Sequence, residues 1–123
     1  TVPMNKVITV KNDTPLGEVL QLAREHRFLR FPVWRTEAGR HRIAGILSLK
    51  PLLYSGALDP AKSAGDCLKP ALFLPEDLPV EEAMRRLRRA GQGPAIVLGR
   101  DQREIGIVTL QDILKAIFGE VKL

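Results

Sequence analysis

Among the 123 residues, Thr109 and Asp112 have the types and spacing best suited to holding a ligand. They close the run Gly106-Ile107-Val108-Thr109-Leu110-Gln111-Asp112-Ile113-Leu114, which reads as a strand passing directly into a helix. The first amides of a helix have no intrahelical partners, and the helix dipole favours an anion there by ~0.3–1 kcal/mol at exposed sites. A phosphate is a natural guest at such an end. A carboxylate one turn further on can accept hydrogen bonds from both hydroxyls of a ribose, so the pair suits the sugar-phosphate part of a nucleotide. The same S/T-x-x-D spacing is also that of a helix capping box, and residue types alone leave both roles open.

Other chemistries find less support. His26 and His41 stand apart, with no Cys or His at zinc-ligand spacing. Cys67 is the single cysteine, which excludes an internal disulfide and fits a reducing compartment. No nucleophile lies beside a base, and Glu81 and Glu82 sit at a solvated helix start, so the chain is expected not to be an enzyme. The net charge of +5 suits an acidic partner, and its densest source is Arg85, Arg86, Arg88 and Arg89. On a helix these four share an arc opposite Val80, Ala83, Met84 and Leu87, as on an ordinary solvated face; an acidic protein surface or membrane headgroups are the other candidates. Trp34, Tyr54 and the four phenylalanines are scattered, so a nucleic-acid partner is not expected. No apolar run approaches the ~20 residues that cross a bilayer, and the start does not read as a signal peptide.

The elements that must position Thr109 and Asp112 occur twice. Leu16, Val19, Leu20 and Ala23 form one helix face, and Val80, Ala83, Met84 and Leu87 repeat it 64 residues later. Pro15 and Pro79 keep the same offset, as do Glu18 and Glu82. Each proline suits a first helical position, and Thr14 can cap the first helix where Leu78 cannot cap the second. After each helix a proline leads an apolar run, Phe31-Pro32-Val33-Trp34 and then Gly93 to Leu98. Polar turns follow over 35–42 and 99–104, then strands Ile43 to Leu47 and Ile105 to Val108. Short helices are predicted over 49–54 and 110–118, with opening strands over 7–10 and 71–74. The unit is strand, helix, strand, strand, helix. The fold class is α+β, with residues 1–54 as the first repeat and its N-terminal lead-in, 55–66 as a linker and 67–123 as the second repeat. Copies this small bury too little surface alone, so packing sheet to sheet about a pseudo-twofold axis is expected, with ligand clefts between the repeats.

The doubled unit, the Gly-hydrophobic-hydrophobic-Thr-x-x-Asp junction and the Pro-Val strand resemble CBS domain pairs, or Bateman modules. More narrowly, Glu25 to Val33, Lys69 to Pro75, Gly106 to Leu114 and Ile117 to Glu120 resemble the CBS pair of the CorC/HlyC and cyclin M (CNNM) transporter family, implicated in magnesium and cobalt export. The resemblance implies a regulatory module that binds ATP or AMP, with Mg²⁺ neutralising the phosphates of ATP and no obligatory cofactor. It implies that Asp112 binds ribose and Thr109 phosphate, that Arg30 approaches the phosphates, that Phe28 and the segment around Val2 lie near the base, and that Leu110 adds apolar and backbone contacts. Arg30 has a plain reading as a surface residue and Phe28 as core. Leu29 stands where the family often has serine, and one hydroxyl near the phosphates is lost.

In the first repeat Ser48 corresponds to Thr109, but Pro51 stands where the second has Asp112, so one nucleotide per chain is expected. The resemblance also implies a homodimer of CBS pairs and a parent with a transmembrane region. The chain opens without a conventional start and stops just after Phe118-Gly119. It is therefore expected to be an excised cytoplasmic fragment, its parent at the cytoplasmic face of the cell membrane. The alternatives are a nucleotide-free dimerisation module and a binder of another adenosine ligand, such as S-adenosylmethionine or a dinucleotide.

Overall fold

The computed structural model describes residues 2–91 and 93–118, which form two compact units. One is Ile8–Pro70; the other begins at Ala71 and takes in the chain start through Val7. The architecture is α+β, with one sheet and two α-helices in each unit.

In the Ile8–Pro70 unit, β2 (Val10–Lys11) runs parallel to β3 (Arg30–Glu37), which pairs antiparallel with β4 (Arg40–Ser48). Helix α1 (Leu16–His26) links β2 to β3, and α2 (Leu49–Ser55) follows β4 directly. The core joins Leu16 and Val19 of α1 to Phe31, Val33 and Leu47 of the sheet, all fully buried, and Leu49 of α2 closes it. The apolar spacing of α1 thus faces the sheet as its sequence requires.

The start of α1 differs from expectation. Pro15 is the N-cap with extended backbone, its carbonyl accepting from Glu18 and Val19, and Leu16 is the first helical residue. Thr14 does not cap: its Oγ1 accepts from the Lys11 amide at 3.1 Å. The orphan Leu16 amide instead donates to the Lys62 carbonyl at 2.8 Å, so a distant segment satisfies the helix end. Pro79 takes the same N-cap place before α3.

The polar stretch 35–42 is likewise not a long turn. It is the outer end of the β3–β4 ribbon, turned by Ala38 and Gly39 alone, both at positive φ (49° and 76°). That two-residue geometry matches the twist of paired strands. Residues 55–66 also hold structure of their own: Ala64–Cys67 is a 3₁₀ turn with a Ser63–Asp66 capping box, and Ala64 is fully buried in the core.

After that turn the chain runs back along β4, where Ile46 and Lys69 exchange both backbone hydrogen bonds at 3.0 Å. A Cβ on Gly45 would stand 2.5 Å from the Lys69 carbonyl oxygen, a backbone atom that cannot swing aside. Gly45→Ala is therefore expected to cost about 1–3 kcal/mol, read as a lower urea midpoint at unchanged slope.

In the second unit the sheet order is β1 (Val2–Pro3), β7 (Glu104–Val108), β6 (Ala95–Leu98), β5 (Leu72–Pro75). β5 and β6 are parallel and the other pairs antiparallel. Helix α3 (Val80–Arg89) links β5 to β6, and α4 (Leu110–Phe118) follows β7. Ala83 and Leu87 of α3 pack with Leu74, Ala95, Val97 and Val108. The opposite α3 face is polar: Glu82 pairs with Arg85 at 2.7 Å and Arg86 at 3.1 Å, while Arg88 and Arg89 are exposed. The lead-in segment is a strand of this sheet, so the compact unit containing the second repeat includes residues that precede the first in the chain.

Candidate functional site

Strand β7 ends at Val108, buried in the core of its unit, and α4 begins two residues later. Thr109 therefore sits at the N-cap, fixed on one side by the sheet and on the other by the first helical turn. Its carbonyl accepts from the Ile113 amide at 3.2 Å. The Thr109 amide donates to Asp112 Oδ2 at 3.0 Å, and the Asp112 amide donates to Thr109 Oγ1 at 3.1 Å. The capping box is formed in full, and both residues are half-buried.

The box does not exhaust either side chain. A threonine hydroxyl has one proton and two lone pairs, and Asp112 uses a lone pair. The Thr109 proton remains available to donate to an anion, since no described residue accepts it. A carboxylate has two oxygens, and the Thr109 amide uses Oδ2. Oδ1 accepts nothing from the described residues. Capping and ligand binding, alternatives in the sequence, are compatible in the structure: the cap locks both rotamers and leaves a donor beside an acceptor.

Val2 and Leu110 lie in the same unit. Val2 pairs with Ile107, two positions before Thr109, and is 39% exposed. Leu110 is the first residue of α4 and packs partly buried against its core. Gly106, buried in β7, is the register partner of Pro3 in the lead-in strand, a pairing that the motif reading did not single out.

Phe28 and Arg30 belong to the Ile8–Pro70 unit. Phe28 is 53% exposed and Leu29 45%, so Phe28 is not a core residue of this chain. Arg30 opens β3 opposite Ser48, and its exposed side chain has an interaction partner within the chain. At the Ser48 junction no side chain caps α2, and its Leu49 amide donates to the Leu29 carbonyl at 2.9 Å. Pro51 there offers no acceptor, so this junction lacks the arrangement found at Thr109. The closing Gly119-Glu120 of the family resemblance lies outside the described residues.

Because the box is intact, Thr109→Val is expected to cost about 1 kcal/mol in urea unfolding, whereas Thr109→Ser keeps both bonds and should stay within about 0.5 kcal/mol.

A strand–helix–strand–strand–helix unit present twice, with a hydroxyl residue at each strand-to-helix junction, defines the class: the CBS domain matches residues 1–50 and 64–119, and the chain belongs to that family. It is more narrowly a CBS domain of the CNNM/CorC kind. The CBS domain of a bacterial CNNM/CorC family Mg²⁺ transporter, solved in complex with ATP, shares 30% identity at a TM-score of 0.83, over 98% of this chain and 84% of that one. A second structure of a CBS domain from that transporter family gives 28% identity and a TM-score of 0.83. The magnesium and cobalt efflux protein CorC of Salmonella typhimurium is 33% identical over 98% of this chain, as is that of Escherichia coli K12. The chain spans 41% of the length of those curated relatives. No helix among the described residues is long and apolar enough to cross a membrane.

Proposed function

We propose that this CBS pair is the regulatory, adenine-nucleotide-binding module of a CorC/CNNM-like divalent-metal transport or efflux protein. The observation that carries the reading is the donor–acceptor pair left over by the α4 cap. The Thr109 hydroxyl is free to donate to a phosphate oxygen, and Asp112 Oδ1 is free to accept from a ribose. Supporting it, a relative of 30% identity was solved in complex with ATP, and the magnesium and cobalt efflux protein CorC is 33% identical over 98% of this chain.

In this reading Leu110 and Val2 give apolar contact to the nucleotide held by Thr109 and Asp112. Mg²⁺ accompanies ATP and neutralises its phosphates. The module catalyses nothing; it acts by binding one packing of a homodimer more tightly than another, and so biases a parent membrane protein. Pro51 limits the chain to one nucleotide.

Calorimetric titration with ATP, ADP and AMP, each with and without Mg²⁺, tests the reading. Saturable binding near one nucleotide per chain is expected. Absence of both heat and thermal shift with every nucleotide would leave Thr109 and Asp112 as a helix cap in a dimerisation module.

A further inference from the structure

An open hollow lies entirely within the Ile8–Pro70 unit. Thr9, Val10, Lys11, Trp34 and His41 line an open groove of about 390 Å³ where β2 ends beside the outer part of the β3–β4 ribbon. Lys11 is the register partner of Trp34 across the parallel β2–β3 pair, so a cation and the chain's single tryptophan stand side by side. Lys11 has no ion-pair partner among the described residues. The His41 ring meets the Thr36 hydroxyl through Nδ1 at a long 3.4 Å. No carboxylate lines the groove. Glu37, the acid of the same ribbon, is 3.7 Å from Arg35.

The repeat supplies a comparison within the molecule. Pro75 and Leu98 are register partners at the places equivalent to Lys11 and Trp34, and they too line a hollow, of about 180 Å³. There the lysine position has become proline and the tryptophan leucine, and Glu76, Asp77 and Arg100 join the lining. The fold thus makes the hollow twice, but only the first copy combines a flat aromatic face with a positive charge.

We propose that the Trp34 groove binds a small anion carrying a flat ring, an aryl phosphate or aryl carboxylate. The indole supplies the stacking face, Lys11 Nζ the counter-charge and His41 a polar edge. Arguments about Thr109 and Asp112 play no part in this site.

Fluorescence of Trp34, undiluted by any other tryptophan, reports on it directly. Titration of the chain with phenyl phosphate should give a saturable change. Inorganic phosphate, which lacks the ring, should bind roughly tenfold more weakly, the order of one stacking contact, and benzyl alcohol, which lacks the charge, about fivefold more weakly. Lys11→Met should weaken phenyl phosphate about fivefold, the upper range for an exposed charge contact. Thr109→Val should leave it unchanged, which separates this site from the nucleotide reading. By calorimetry, Trp34→Phe should bind more weakly while remaining folded by circular dichroism. Unsaturable linear quenching, equal affinity for the three probes, or indifference to Lys11→Met would each overturn the proposal, as would loss of the signal in Thr109→Val.

Discussion

Replacing Phe31 with alanine is expected to cost about 3–5 kcal/mol, the largest stability effect of any substitution considered. The ring is fully buried between α1 and the β2–β3–β4 sheet, among Leu16, Val19, Val33 and Leu47. Truncation removes apolar burial and leaves a cavity that strands paired over eight residues cannot collapse to fill. A unit of the length of Ile8–Pro70 has roughly 3–9 kcal/mol to lose at ordinary stability per residue. At the lower end of that range the variant should sit past its unfolding midpoint at ambient temperature, and at the upper end it should lose about half of its stability. Amide exchange at Val33 and Leu47 and the urea midpoint both read this. Tyr54→Ala, at a side chain 82% exposed, should move the midpoint by no more than about 0.5 kcal/mol. A Phe31→Ala loss as small as that would mean that this core repacks freely and that its tight sheet–helix geometry is not what holds the unit.

What the sequence made legible follows the range over which each feature is determined. The two helices and their buried faces rest on apolar spacing within a few turns, and Leu16, Val19, Ala83 and Leu87 are buried as that spacing requires. The start of α1 differs from expectation because its satisfaction is not local: Lys62 lies far from Leu16 in sequence, and nothing near Thr14 announces that its cap is unnecessary. The outer β3–β4 ribbon was hidden by composition. Exposed Arg35 and Arg40 and half-buried Arg42 look like turn residues, although only Ala38 and Gly39 turn. The pairing of Val2 with Ile107 is almost as long-range as the chain permits, and no local pattern could assign the lead-in strand to the later sheet. At the candidate site, the spacing of Thr109 and Asp112 gave the capping box at once. Which oxygen the box consumes is a matter of side-chain geometry, and the case for a ligand turns on that.

Two substitutions at Asp112 divide the cap from the ligand. Asp112→Ala removes both functions. It should destabilise the fold by about 0.5–2 kcal/mol through the lost cap. It should also weaken nucleotide binding at least about tenfold for each charge-assisted bond to the ribose. Asp112→Asn is the sharper test. An amide has a single oxygen, and the Thr109 amide, 3.0 Å from the present Oδ2, claims it. The NH₂ group then occupies the place of Oδ1 and presents donors where ribose hydroxyls need an acceptor. If the amide flips to serve the ribose, it sets NH₂ against the Thr109 amide and the cap is lost instead. Asparagine that keeps the cap meets the ribose with a neutral donor in place of the charged Oδ1 acceptor, and the charge-assisted bonds to the sugar are lost. The expected result is wild-type stability within about 0.5 kcal/mol, with nucleotide affinity down at least about tenfold, measured by urea unfolding and calorimetry on the same preparation. Wild-type stability together with wild-type affinity would show that no carboxylate holds the ribose, and would reduce Asp112 to the cap its spacing first suggested.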